Sequence, residues 1–189
     1  MKAGEKVRFD IHYHSVGEEI TDQLEVGVWF YPKTYMPKYQ VKSMALGVFQ
    51  AMDTFDLPPN KVTVHHGYAT LTEPTKVLSY QPHMHMRGKA MSLEAIYPDG
   101  RTEMLNYVDH FNFNWHINYV YADDAAPILP RGTVLHITAW HDNTAANKNN
   151  PDPRQWVGWG QRSFDDMYHA HMRMVSLTDA DYDAIVKER

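Results

Sequence analysis

The sequence predicts an all-β protein, a single jelly-roll β-sandwich that ends in a short helix. Apolar and polar residues alternate with a period of two in about ten short segments, as expected for strands with one buried face. Turn residues separate these segments, as in Pro58-Pro59-Asn60, Pro98-Asp99-Gly100 and Pro130-Arg131-Gly132. Many short strands at even spacing are typical of sandwiches and barrels, so we expect residues 1–189 to form one such domain.

The first predicted strand covers residues 6–14, where apolar side chains from Val7 to Tyr13 alternate with polar ones. Pro98-Asp99-Gly100 lies between two apolar runs and predicts a hairpin turn. The other predicted strands are, in chain order, 24–31, 41–49, 61–69, 76–81, 90–97, 102–107, 115–121, 133–140 and 169–176.

Two further segments complete the predicted architecture. Residues 141–165 form a long stretch rich in Asn, Asp and Pro, and loops of this length in a compact domain are usually functional or mobile. After it, Thr178 is predicted to be the N-cap of a short helix, with Asp181 three residues later in a variant of the capping box.

Composition excludes several classes of function. The chain carries 18 Lys and Arg against 23 Asp and Glu, a net charge of -5, which disfavours nucleic-acid binding. No apolar stretch approaches the roughly 18 residues that span a bilayer. The absence of cysteine rules out disulfides, cysteine-based zinc sites, iron–sulfur clusters and thiol catalysis.

The chain is instead rich in two other metal ligands, with 12 His and 11 Met. Histidine is the commonest metal ligand, and the soft thioether of methionine suits copper better than zinc or magnesium. This composition favours a copper protein. The alternative is that methionine fills gaps in the core and histidine lies on the surface.

The sharpest local signal is His83-Met84-His85. Residues two apart in a strand share a face, so both imidazoles would point the same way with Cβ atoms about 7 Å apart. That separation allows two long side chains to converge on one metal ion. The alternative is a pair of surface histidines.

A second candidate segment runs from Asp165 to His171. If it is a strand, Met167, His169 and His171 lie on one face and offer a thioether and an imidazole to copper. Alternatively, it is an edge strand in which Met167 only packs inside. His12 and His14 likewise share the polar face of the first predicted strand.

The remaining histidines lack these patterns. His65 and His66 are adjacent, so in a strand they point in opposite directions. His110, His116 and His136 have no partner at ligand spacing, and we interpret them as structural or exposed.

Other chemistries on a jelly roll find no support. A cupin metal site needs a Glu four or five residues after the second His, whereas residues 89 and 90 are Lys89 and Ala90. A Gly-x-Ser-x-Gly nucleophile elbow is absent, and no pair of carboxylates stands out for glycoside hydrolysis.

Four motifs in order resemble a known family: Phe9 to His14, Pro82 to Lys89, Trp140 to Thr144, and Asp165-Asp166-Met167. Together they resemble the C-terminal half of the copper type II, ascorbate-dependent monooxygenases, the peptidylglycine alpha-hydroxylating and dopamine beta-monooxygenase family. The resemblance covers residues 3–174. Three stretches are more similar to bacterial relatives of that family: Tyr97 to Arg101, Phe111 to Trp115, and Asn149 to Pro153.

The resemblance implies a copper site in this chain. In that family, the oxygen-activating copper of the second jelly-roll domain is bound by a His-x-His pair and one Met. Carried over by motif, these ligands are His83, His85 and Met167. The implied activity is ascorbate-dependent hydroxylation of a C–H bond by copper-bound dioxygen. A periplasmic or extracellular location follows from the same resemblance.

A second copper of the family supplies an electron and is bound by three histidines. His12 matches one of them, and the other two lie in a first domain that has no counterpart here. We therefore expect a separate first copper domain or a partner protein to complete the enzyme, whose small-molecule substrate is unknown. The alternatives are a copper-binding module without turnover and a structural subunit of a larger assembly. Whether His14, His141, His169 or His171 adds a ligand stays open.

Overall fold

The computed structural model of the protein describes residues 4–11, 13 and 17–189, which belong to two compact units, Met1–Met36 and Pro37–Arg189. The predicted single domain over residues 1–189 stays a prediction. The described residues of the first unit contain no strand, so the strands predicted at 6–14 and 24–31 are wrong for those residues. Their apolar side chains remain exposed, with Trp29 at 88%. Alternation marks a sequence able to form a half-buried strand, but a strand also needs a partner for its backbone groups.

The second unit is built from short antiparallel strands. They are, in chain order, β1 (Val41–Gly47), β2 (Asp56–Leu57), β3 (Val62–Thr70), β4 (Thr75–Met84), β5 (Gly88–Ile96), β6 (Thr102–Val108), β7 (Tyr119–Val120), β8 (Ile128–Leu129), β9 (Val134–Asp142), β10 (Val157–Gly158) and β11 (Tyr168–Ser176). A 3₁₀ turn, Val48–Gln50, follows β1, and one helix, α1 (Asp179–Glu188), ends the chain.

These strands form two main sheets. The first has the order β1-β11-β4-β7, with β8 also paired to β4, and the second has the order β3-β9-β5-β6. A short ribbon pairs β2 with β10. The all-β, jelly-roll-like sandwich predicted from the alternation is confirmed. In the part of the chain that the structure describes, no helix has the length and apolar character needed to span a bilayer.

The core lies between the two main sheets. Tyr80 and Met172 come from the first sheet, Leu93 and Ile137 come from the second, and all four are at most 1% exposed within one apolar cluster. Full burial of each such side chain is worth about 1.5–3 kcal/mol. Alternate residues of the same strands therefore point away from the core and are available for other contacts.

Local signals at the turns and at the helix terminus are confirmed. Tyr97 N–H donates to the carbonyl of Arg101 at 2.8 Å, and Gly100 adopts the positive φ of 84° that closes the predicted hairpin. Thr178 caps α1 by accepting a hydrogen bond from Asp181 N–H at 3.1 Å. The predicted strand at 115–121 shortens to β7. A turn in which Asn112 Oδ1 accepts from Asn114 N–H at 3.0 Å lies just before the predicted start.

The long segment after β9 is anchored rather than loose. Asn143 is 1% exposed, and its amide donates to the backbone carbonyls of Leu57, Pro58 and Gln155 at 2.9–3.1 Å. Its side-chain oxygen accepts from Arg87 Nε at 3.0 Å. Because these donors and acceptors are buried, each hydrogen bond is costly to lose, and the segment is held against β2 and the turn before β5.

We expect His65 to make the fold sensitive to acid. It lies near Phe55 and Tyr168, with ring centroids 4.7 and 5.6 Å away, and burial lowers the pKa of His65 from about 6.5 to about 4. The unfolded chain therefore binds more protons than the folded one between these values, and stability falls as the pH drops from about 6.5 to 4. We expect this site to contribute up to about 3 kcal/mol of that loss.

Urea unfolding of wild type and His65→Gln over this pH range tests the expectation. The variant should be less stable at neutral pH but should lose less stability on acidification. His110→Gln, at a histidine whose side chain is 93% exposed, is the matched control. An identical pH slope in wild type and His65→Gln would contradict the assignment.

Candidate metal centre

The pairing of β4 with β11 builds the centre. His83 on β4 lies directly opposite His169 on β11, and Met84 lies opposite Tyr168. Met84 and Tyr168 belong to the buried apolar cluster, so the alternation directs His83 and His169 to the other face of the sheet. Met167 immediately precedes β11 and approaches His83 on that face.

His83 Nε2 lies 3.1 Å from Met167 Sδ. With bonds of about 2.0 Å to nitrogen and about 2.3 Å to sulfur, two donors on one metal ion lie roughly 3.1–3.6 Å apart. The rings of His83 and His85 are 5.4 Å apart between centroids and nearly perpendicular, at 89°. The structure thus places His83 next to both His85 and Met167, three of the four residues that the family resemblance implies as copper ligands.

His85 is oriented by the backbone. Its Nδ1–H donates to the carbonyl of Asp165 at 3.1 Å, and the residue is only 5% exposed. A metal-binding histidine usually donates its other ring N–H to such an acceptor, which fixes the tautomer and the ring orientation. This contact therefore leaves His85 Nε2 with the lone pair that a metal ion needs.

A completely buried carboxylate, that of Asp166, holds the two segments that carry the candidate ligands close together. It accepts hydrogen bonds from the backbone N–H groups of His85 at 3.0 Å, Arg87 at 3.1 Å and Met167 at 2.9 Å. Burial alone would raise the pKa of Asp166, but hydrogen bonding to His141 and to backbone N–H groups outweighs burial and leaves this pKa below its usual value. One ionised side chain therefore ties the turn after β4 to the start of β11.

His141 supports this carboxylate and is not brought into contact with His83. Its Nε2 lies 3.2 Å from the carbonyl oxygen of Met167 and 3.4 Å from Asp166 Oδ1, and the residue is fully buried. His141 therefore braces the segment that carries Met167.

Other imidazoles surround His83. The Nδ1 atoms of His83 and His116 are 3.3 Å apart, and the ring of His171 lies 5.8 Å from the ring of His83. Burial, together with the neighbouring His116 and His85, lowers the pKa of His83 to about 3. Since neutral imidazole is the ligand form, these surroundings keep His83 ready for metal binding at neutral pH.

His169 is the most unusual of these neighbours. It is 2% exposed, and both ring nitrogens lack a hydrogen-bond partner among the described residues. Phe49 covers its ring at 4.1 Å between centroids. β1 approaches β11 closely at Gly47, which has a φ of 153°. Any other residue would place its Cβ against the carbonyl oxygen of Tyr168, so only glycine fits here. Buried polar atoms are normally satisfied, so His169 is an unexplained donor beside the candidate ligands.

A cleft of about 340 Å³ opens on the same side of the sheet. His171 and Gln81, which are paired across β11 and β4, both line it, and Arg173 and Asn118 add polar groups. His171 therefore lies between the cleft and His83.

Several features of the centre were not evident from the sequence. His116, which we interpreted as structural or exposed, lies beside His83, 33 residues away in the sequence. Asp166 adjoins Met167 in sequence, yet no pattern marks it as the residue that binds the turn after β4. His12 and His14 lie outside the described residues. Among residues 4–11, 13 and 17–189, no three His, Asp or Glu side chains converge as a metal site.

Comparison with known proteins finds no matching family model and no matching curated protein. The structure is similar to that of the infectious bursal disease virus Gx strain, with a TM-score of 0.34 and 6% identity over 79% of this chain. Structures of a viral particle and a subviral particle of this virus have TM-scores of 0.35, with 8% and 9% identity over 82% of this chain. The chain spans 36–37% of the length of these viral chains.

We expect Asp166→Asn to weaken both the fold and metal binding. The amide has a single acceptor oxygen, so its NH₂ group would face a backbone N–H and leave a buried donor unpaired. A loss of about 2–4 kcal/mol in unfolding free energy is expected, with copper affinity about 10–100-fold lower.

Urea unfolding and copper titration measure the two effects. The matched control is Asp152→Asn, because the Asp152 carboxylate pairs with the exposed Arg154 at 2.9 Å. This substitution should cost much less unfolding free energy than Asp166→Asn. Equal losses in the two variants would show that Asp166 has no special role.

Proposed function

We propose that this chain binds one copper ion through His83, His85 and Met167, as the oxygen-activating copper domain of an ascorbate-dependent monooxygenase. The observation that carries the proposal is the 3.1 Å separation of His83 Nε2 and Met167 Sδ, next to an imidazole oriented by a backbone carbonyl. Such a separation suits two ligands of one ion.

The donor set supports copper rather than another metal. Imidazole suits zinc, copper, iron and nickel alike, but a thioether is a soft ligand that selects Cu(I). Zinc, magnesium and calcium sites prefer thiolate or oxygen ligands in addition to, or instead of, imidazole. A set of two imidazoles and one thioether therefore favours Cu(I) over these other ions.

Copper, when bound, supplies one-electron redox chemistry and the activation of dioxygen for attack on a C–H bond. The protein's own residues hold and orient the ligands. The carbonyl of Asp165 fixes the His85 ring, the Asp166 carboxylate fixes the backbone on both sides, and burial keeps His83 neutral. The polar cleft beside His171 offers space in which a small substrate can approach this face of the sheet.

The proposal includes a source for the second electron. Hydroxylation consumes two electrons, and ascorbate is the reductant that the family resemblance implies. By the same resemblance, His12 provides one ligand of a second copper, and a first copper domain or a partner protein provides the other two. A periplasmic or extracellular location belongs to this proposal.

A copper-binding module without turnover is the second candidate. The additional imidazoles of His116, His169 and His171 near His83 favour it, because extra donors increase retention of the ion without assisting oxidation. The two candidates differ in oxygen consumption.

Copper retention tests the binding site. After loading with Cu(I) under reducing conditions and desalting, the wild type should hold about one copper in this site per chain, and His83→Ala should lose it. Met167→Ile should retain the imidazoles but bind Cu(I) at least about tenfold more weakly, since a soft ligand is lost. His110→Ala, at an exposed histidine, is the control and should match the wild type.

Activity then separates the candidates. Ascorbate-dependent oxygen uptake on addition of a first copper domain, absent in His83→Ala, is the result that the monooxygenase predicts. Retention of copper with no oxygen uptake would favour the module without turnover. Copper affinity unchanged in both His83→Ala and Met167→Ile would refute the site itself.

A further inference from the structure

A second group of histidines lies on the outer face of the other sheet. In the register of β3 and β9, His66 pairs with Thr138 and Tyr68 pairs with His136, while His136 also pairs with Glu94 on β5. His65, which precedes His66, contacts core aromatic rings, so the alternation turns His66 outward. These side chains therefore share the solvent face of three adjacent strands.

Three donor atoms in this group converge. His66 Nδ1 and His136 Nε2 are 3.0 Å apart, and Thr138 Oγ1 lies 3.3 Å from the first and 3.4 Å from the second. A circle through three atoms with these separations has a radius of about 1.9 Å, close to the roughly 2.0–2.1 Å of a metal–imidazole bond. A single ion just above their plane would be within bonding distance of all three.

The surroundings orient this arrangement as a metal site would require. Glu94 Oε2 lies 3.1 Å from His136 Nδ1 and accepts its N–H, which leaves the lone pair of His136 on Nε2, the atom that faces His66. Tyr68 stacks on the His136 ring at 4.5 Å between centroids and 3° between planes, which restricts rotation of the imidazole.

We propose that His66, His136 and Thr138, with Glu94 behind His136, form a binding site for a divalent first-row transition ion. We call this group the sheet-face site. It has nitrogen and oxygen donors and no sulfur, so it suits Zn²⁺ or Cu²⁺ and not Cu(I). His66 is exposed and the His136 side chain is 16% exposed, so water completes the coordination. The site is distinct from that of His83, which belongs to the other sheet.

Zinc titration of the full chain tests this inference. The background is His83→Ala, which removes a ligand of the candidate copper centre, and a chromogenic chelator reports free Zn²⁺. We expect this protein to bind about one Zn²⁺ in the sheet-face site. Adding His66→Ala should lower the affinity more than about tenfold, and adding Glu94→Gln should lower it about 10–100-fold through His136.

The controls make the test decisive. Adding His110→Ala instead should leave zinc binding unchanged, because that histidine is exposed and lies outside the group. Far-UV circular dichroism checks the fold, which His66→Ala should preserve because His66 is a solvent-facing residue. Cu²⁺ added to the same proteins should give an electron paramagnetic resonance signal with nitrogen coupling that His66→Ala removes. Zinc affinity that is undetectable at micromolar protein, or unchanged by His66→Ala, would overturn the proposal.

Discussion

The buried charge of Asp166 is the constraint on which the candidate copper centre depends. A carboxylate with no exposure to water is tolerable only if its oxygens are satisfied, and backbone N–H groups from the turn after β4 and from the start of β11 satisfy them. If the turn after β4 or the start of β11 moved away, the buried Asp166 carboxylate would lose hydrogen bonds that it needs. The same requirement therefore fixes the backbone positions of His85 and Met167, whose side chains are two of the three candidate ligands.

Strand alternation explains how a compact sandwich carries two groups of histidines without disturbing its core. Tyr168 and Met84 fill the interior, while their neighbours His169 and His83 point the other way. On the second sheet the same parity separates the inward His65 from the outward His66. The apolar positions maintain the fold, and the alternate positions carry the candidate ligands of the two proposed sites, one with sulfur and one without.

The parts of the structure that the sequence predicted depend on local information. Residues two apart share a strand face, so the direction of the His83 side chain followed from the alternation. The hairpin at Gly100 followed from its turn residues, and the Thr178 cap followed from the capping pattern. Contacts between distant strands could not be predicted in this way. Nothing local in the sequence pairs His136 with His66, because sheet order and register decide that contact. Nor does anything local pair His83 with His116, which lies in the loop before β7.

The strands predicted at 6–14 and 24–31 also show that local sequence does not determine which segments pair. Their alternation is real, but alternation records only which side chains are suited to burial. Formation of a strand also requires a neighbour at hydrogen-bonding distance, which the residue pattern does not supply. The long segment after β9 is, apart from β10, the irregular stretch that its polar composition predicted. Its composition did not reveal that Asn143 anchors it through buried hydrogen bonds.

The separation of the candidate ligands along the chain has a consequence for the order of folding. His83 and Met167 are 84 residues apart, and they meet only when β4 pairs with β11. Pairings of this kind form slowly, because the entropy of closing a long loop is lost before any contact compensates for it. In the proposed site, copper would therefore enter a sandwich whose strands have already paired, and it would not act as a nucleus for folding. The rate at which the site appears is set by the slowest strand pairing.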